Sequence, residues 1–190
     1  MRKKRKKTLL IIVVCIIFFL AIFAYHKGPW RGKVINAETK QPIEGAAVVA
    51  IWEKSVAGPA GREPFFLDAV ETKTDKNGEF IIPWKWFIDI PLFRMVGGPY
   101  FTIYKPGYGD FPGMQVSPWP PFTVNPNPDY QSKLFRGKGA VVELPELKTK
   151  KDRERAFAEA EGWVPLKKTP ELMKLINSEL KNLGYKPVTQ

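Results

Sequence analysis

The chain has 190 residues, 30 Lys and Arg against 19 Asp and Glu, one Cys and one His. That length supports one modest core with a short appendage once an apolar leader is set aside. Cys15, the only Cys, lies inside the leader and excludes an intrachain disulfide or a Cys-ligated metal centre in the domain, while the only His, His26, sits at the leader's edge and argues against a His-dependent triad or His-built zinc site. The net charge of +11 is concentrated in Arg2, Lys3, Lys4, Arg5, Lys6 and Lys7; without those six, 24 basic residues face 19 acidic ones. The remainder is scattered rather than gathered into a phosphate-tracking stripe, so nucleic acid is not an expected partner.

Residues 1–7 read as a basic cytoplasmic tail and residues 8–25 as a transmembrane helix or signal anchor. Thr8 to Tyr25 carries no charge and is rich in Ile, Val, Leu and Phe; as a helix it would rise about 27 Å, close to the hydrocarbon thickness. Basic residues ahead of a span are retained inside, which predicts a single-pass protein of the cell membrane. Its N-terminus is then cytoplasmic and its domain extracytoplasmic, periplasmic in a bacterium with an outer membrane. The rival is a cleaved signal peptide ending at Ala24, but Ile22 is too large for a small-x-small site. Cys15 follows Val14 in mid-run, not at the end of the run as a lipidation site requires.

From Trp30 to about Tyr108 the sequence reads as short strands punctuated at Gly32, Pro42, Gly45, Asp75 to Gly78 and Gly107. Arg31 to Asn36 is extended and Ala37 to Gln41 polar enough for a turn. Ala46 to Trp52 is almost wholly apolar and predicts a strand buried on both faces. Lys54 to Pro64, with Gly58, Pro59 and Gly61, reads as a loop. Ala69 to Thr74 alternates, and Asp75-Lys76-Asn77-Gly78 before Glu79 to Trp84 predicts a hairpin turn. Asp75, Asn77 and Glu79 alternate like the start of a calcium loop. Phe80 stands where its Gly belongs and Trp86 where its last Glu belongs, so no metal site is expected.

The order G-K-V-I-N-A-E-T-K-Q-P-I-E-G-A-A-V-V-A, T-K-T-D-K-N-G-E-F and Y-F-T-I-Y-K-P-G-Y resembles the carboxypeptidase regulatory-like domain, an Ig-like or transthyretin-like (prealbumin-like) β-sandwich. The likeness covers Trp30 to Tyr108, with Ala140 to Leu147 resembling the closing strand. It departs at two insertions, Lys54 to Leu67 and Lys85 to Pro99, and at a Pro-rich stretch before the last strand. The resemblance implies a mainly β domain over residues 29–148 of about seven strands, and a non-catalytic accessory or interaction role. It supplies no catalytic residues and no cofactor.

Pro83 to Phe101 and Phe111 to Phe122 hold more aromatic surface than such a domain needs. Either these loops pack on each other and close one end, or they form a platform for a sugar, a Pro-rich partner or the bilayer interface. The candidate binding aromatics are Trp84, Trp86, Phe87, Phe93, Tyr100 and Trp119. Asn125 to Pro128, with Asp129 and Tyr130, reads as a surface connector. Residues 149–190 read as a helical tail. Thr149-x-x-Asp152 resembles a capping box. Thr169 reads as the cap of a second helix whose Leu172, Leu175, Ile176, Leu180 and Leu183 form one stripe, for docking on the domain or on a partner.

These features predict a membrane-anchored extracytoplasmic β-sandwich module, attached through Thr8 to Tyr25 and working with a protein partner in the envelope. The alternatives are a carbohydrate-binding module using the loop aromatics and a carboxylate-based hydrolase drawing on Asp68, Asp89, Asp110 or Asp129.

Overall fold

Ala46 to Trp52 is buried residue by residue, and the remaining elements are arranged on either side of it. The computed structural model describes residues 6–7, 10–14, 24–58, 61–88, 94–118, 128–161 and 166–188. The chain order is β1 (Ala24–Lys27), β2 (Trp30–Asn36), β3 (Ala47–Gly58), β4 (Gly61–Lys73), β5 (Glu79–Ile82), β6 (Lys85–Ile88), β7 (Arg94–Tyr104), α1 (Pro128–Leu134), β8 (Ala140–Leu144), α2 (Lys150–Glu161), a 3-10 turn (Leu166–Lys168) and α3 (Pro170–Asn182). The protein is therefore mainly β. Two three-stranded sheets, β4-β3-β7 and β5-β2-β8, are joined by a two-stranded ribbon, β1-β6. All pairs are antiparallel except β2 with β8.

Alternation explains how one strand serves two cores. Val48, Ala50 and Trp52 of β3 join Val34, Phe80, Ile82, Phe101, Ile103, Val142 and Leu144 in a cluster built from both sheets. Ala47, Val49 and Ile51 point the other way, into a second cluster closed by Ala156 and Ala160 of α2 and by Leu172, Ile176 and Leu180 of α3. The apolar stripe of the tail thus docks on the parent domain.

The first cluster is strongly aromatic. Trp30 meets Trp52 edge-on at 5.5 Å between centroids, and Phe101 meets Phe135 at 4.5 Å. Phe135 is placed by α1, an element missed by the connector reading of Pro128 to Tyr130; residues 125–127 lie outside the described residues. The seven-residue α1 is too short for a periodic signal, and long-range bonds fix it instead. The Phe101 amide donates to Gln131 Oε1 at 2.8 Å, and Trp30 Nε1 donates to Ser132 Oγ at 3.1 Å.

Several local readings are corrected. Lys54 to Pro64 is not a loop: its described residues, 54–58 and 61–64, belong to the far half of the β3–β4 pair, which runs to Gly58↔Gly61. Pro64 falls on β4, an edge strand, where half of the backbone donors face away from the neighbouring strand and a Pro can be accommodated. Lys85 to Pro99 likewise supplies β6 and the start of β7. Asp75 to Gly78 is a turn, with Asp75 Oδ1 accepting from the Asn77 and Glu79 amides at 2.8 Å each. It does not close a hairpin, however: β4 and β5 belong to different sheets. Gly78 makes the change of sheet feasible, since it sits at φ +74 and a Cβ there would collide with the Val34 carbonyl.

Ala24 and Tyr25, read as the end of the leader helix, belong to β1. Leu10 to Val14 is helical and exposed; residues 15–23 lie outside the described residues. Among the described residues, no helix is long and apolar enough to cross a membrane.

Half of the expected capping box forms at α2: the Asp152 amide donates to Thr149 Oγ1 at 3.1 Å, while the Asp152 carboxylate accepts from the Thr149 hydroxyl at 2.6 Å. At α3 the expectation fails, because Thr169 makes no side-chain cap bond and its hydroxyl is buried without a partner among the described residues. The cap comes from another element: Glu71 of β4 accepts from the Glu171 amide at 2.9 Å and the Leu172 amide at 2.5 Å. A carboxylate wins there because it offers two acceptor oxygens and a charge that the helix N-terminus favours. Glu71→Ala is expected to lower the urea midpoint by the equivalent of about 1–2 kcal/mol, whereas Thr169→Val, which removes only an unsatisfied hydroxyl, leaves it unchanged or raises it. Equal losses from both would restore Thr169 as the cap.

Candidate functional site

The aromatic residues expected to bind a ligand separate by strand alternation. After β5 the chain turns at Pro83 and enters β6, which pairs with β1 in the register Ala24↔Ile88, Tyr25↔Phe87, His26↔Trp86 and Lys27↔Lys85. Phe87 points inward, only 7% exposed, with its ring 5.8 Å from that of Trp52. Lys85 shares that inward side: its ammonium bonds Asp68 and lies 5.3 Å above the Trp52 ring. Trp84 and Trp86 point outward, 58% and 62% exposed, with ring centroids 6.4 Å apart and planes inclined by 38°. Tyr100 is half-buried against the second cluster. The side chains of Phe93 and Trp119 lie outside the described residues. Of the six candidates, the structure therefore presents Trp84 and Trp86 together at the surface and assigns Phe87 and Tyr100 to the cores.

The carboxylates differ just as sharply. Burial pushes the Asp68 carboxyl up, but the Lys85 bond, the Ala69 amide and the charges of Lys85 and Lys168 outweigh it and hold the group below its usual range. Asp110, in the loop after β7, is almost fully buried. Its Oδ2 accepts from the Gly113 amide at 3.1 Å, while Oδ1 has no hydrogen-bond partner among the described residues. Burial pushes its pKa up to about 7 against the pull of neighbouring amides. The side chains of Asp89 and Asp129 lie outside the described residues. Among the described residues no group of His, Cys, Asp and Glu is arranged to hold a metal ion.

A second polar constellation, absent from the sequence reading, lies where the tail meets the sheet. Glu179 of α3 receives a two-pronged contact from Arg153 of α2, Nε to Oε1 at 2.6 Å and Nη2 to Oε2 at 2.7 Å. The Gly107 amide also donates to Glu179 Oε1, at 3.3 Å. Beside them is the buried Tyr104 hydroxyl, whose pKa is raised by burial and then by the Glu179 charge. Glu179 falls within the spacing of the apolar stripe of α3, between Ile176 and Leu180, and an acid there was the available signal for a buried pair. The geometry clamps one helix to another and to the sheet.

An open cleft of ≈ 630 Å³ lies between the β5-β2-β8 sheet and the end of β4, lined by Arg31, Lys33, Lys73, Lys138, Asp75 and Glu79 among others, with Lys73 paired to Glu171. Its mixed signs give no focused field for an anion or a cation, and Asp75 is already engaged in its own turn. The exposed Trp84–Trp86 pair is thus the strongest candidate contact surface. Compared with protein-family models, with curated proteins and with solved structures, the chain matches none of them.

Two measurements check the polar groups. A carboxyl whose folded-state pKa lies above its unfolded value holds its proton more tightly when folded, so the stability it contributes is full at low pH and lost as pH rises through about 7. Lowering the pH from about 8 to about 5 is expected to stabilise the wild-type chain by roughly 2–3 kcal/mol through Asp110, a slope that Asp110→Asn removes. For the clamp, Arg153→Ala leaves Glu179 buried without its cation and is expected to cost about 3–5 kcal/mol, while the double change Arg153→Met with Glu179→Met recovers most of it. Urea titration with limited proteolysis of the tail reads both; equal loss in single and double variants would show that the ion pair is not the clamp.

Proposed function

We propose that this chain is a single-pass, membrane-anchored module of the cell envelope, a transthyretin-like β-sandwich of the carboxypeptidase regulatory-like kind with a non-catalytic binding or accessory role. The observation that carries this reading is the way the leader meets the domain. The apolar run is followed at once by β1, which is paired with β6, and only Gly28 and Pro29 separate β1 from β2. A module working at a set height above a bilayer has a use for an apolar run joined so closely to its sheet. The basic residues from Arg2 to Lys7 support a cytoplasmic N-terminus. The sandwich is supported by a single cluster filled from both three-stranded sheets.

Expression of the full chain with an N-terminal tag tests the anchor. The expected result is a membrane fraction that survives carbonate washing, with the domain cleaved by protease added to cells whose outer membrane, where there is one, has been opened, while the tag stays protected. Release of an intact chain by carbonate would sink the proposal.

A carbohydrate-binding role is the second reading, favoured by the exposure of Trp84 and Trp86. Their 38° inclination gives less support to one flat stacking platform than coplanar rings would. Absence of any sugar-dependent change in Trp fluorescence would remove it.

A further inference from the structure

We propose that the outward face of the β1-β6 ribbon, led by Trp84 and Trp86, is seated in the interfacial layer of the bilayer that holds the leader; this rests on the anchored reading above. The register sets the heights. Trp86 is opposite His26, two residues beyond Ala24, and Trp84 precedes Lys85, which is opposite Lys27. At about 3.3 Å per residue, Trp86 lies roughly 7 Å and Trp84 roughly 13 Å along the ribbon from the start of β1. The headgroup region on each side of the hydrocarbon is about 5–8 Å thick. With the hydrocarbon edge taken at the start of β1, a ribbon standing upright would hold Trp86 in that layer, and tilting toward its outward face would bring Trp84 in as well.

The ribbon is tied down, so these side chains keep their height. Phe87 rests on Trp52 and Lys85 bonds Asp68, which fixes the inward side of β6. Lys27 Nζ donates to the Val96 carbonyl at 3.4 Å, joining β1 to β7. Gly28, at φ +107, lets the chain pass so close that a Cβ there would stand 2.6 Å from the Trp30 ring and 2.9 Å from the Trp84 Cα. Two further aromatics, Phe65 and Phe66 of β4, are 48% and 43% exposed, but the charged Lys54 stands between Phe65 and Val96.

The chemistry matches the location. Indole combines a broad apolar body with one N–H donor, so it gains from a layer that is apolar on one side and rich in carbonyls, phosphates and water on the other. Two such rings beside the end of an apolar run repeat, on a β-ribbon, the aromatic belt found at the ends of membrane spans.

The test reconstitutes the full chain into phosphatidylcholine–phosphatidylglycerol vesicles whose acyl chains are brominated either near the headgroup or near the tail end, and reads quenching of Trp emission. The chain has six Trp, so the signal of interest is the difference between wild type and the double variant Trp84→Phe with Trp86→Phe, whose fold is checked by its urea midpoint. The expected result is strong quenching by headgroup-proximal bromine that falls by about half in the variant, with weaker quenching from tail-end bromine. Equal quenching of wild type and variant, with both still floating with the vesicles, would overturn the seating and leave the anchor intact. Failure of the full chain to float would overturn the anchor and the seating together. Unquenched Trp84 and Trp86 that crosslink to a protein in native membranes would replace the bilayer with a protein partner.

Discussion

Between Ala47 and Trp52, strand β3 has no side left for water, and this constraint organises the molecule. Each inward step along the strand must be met by apolar surface from the β5-β2-β8 sheet, and each outward step by something else, since β3 is the centre of its own sheet. The something else is the tail. Were α2 and α3 removed, Ala47, Val49 and Ile51 would lose the cover of Ala156, Ala160, Leu172 and Ile176. Complete burial of a Val, Leu or Ile side chain is worth about 1.5–3 kcal/mol, and Val49, Ile51, Leu172 and Ile176 are such residues, so the tail is part of the fold and not an accessory to it.

That cover brings polar groups to a place where water is excluded, and the structure handles them unevenly. Glu179 is held from three directions, by both nitrogens of the Arg153 fork and by the Gly107 amide. Glu71 meets the positive end of α3 with both oxygens. Both contacts are directional in a way that apolar contacts are not: one sets the rotation of α2 against α3 and the other sets where α3 begins on the sheet. Tyr104, Asp110 and Gln115, by contrast, each bury a polar atom with no partner among the described residues. The two well-made contacts fix the docking geometry at two points, and of the unsatisfied groups it is Asp110, its carboxyl pushed up by burial, that ties stability to proton uptake.

How much of this was legible in the sequence depended on the range over which each feature is fixed. The doubly buried strand at Ala46 to Trp52, the Thr149 side-chain cap and the apolar stripe of α3 are local patterns, and each is found where the sequence places it. Asp75 to Gly78 announced a turn, but nothing local says that the chain leaving it changes sheet, because that is decided by Val34 receiving the turn against β2. The same limit explains Thr169. Its residue type marks it as a cap, and a distant carboxylate outcompetes it. Trp86 and Phe87 looked equivalent as neighbours in an aromatic run. Only the pairing of β6 with the end of the leader gives them opposite faces, and a pairing between residues about sixty positions apart leaves no trace in periodicity.

The closeness of leader and sheet has a mechanical consequence. A flexible tether lets a module sample a wide volume, and the effective concentration of any fixed partner is diluted accordingly. Here two residues separate β1 from β2, and both strands are paired. In an anchored chain the sandwich would then inherit the tilt and rotation of its leader, and its surfaces would face the membrane plane at fixed angles. The entropy that a long linker loses on binding is already absent before any partner arrives. In an anchored chain such a joint would suit a component that presents one face repeatedly to a neighbour in the same membrane, and residues near the joint, Trp84 and Trp86 among them, would keep a fixed height above the bilayer.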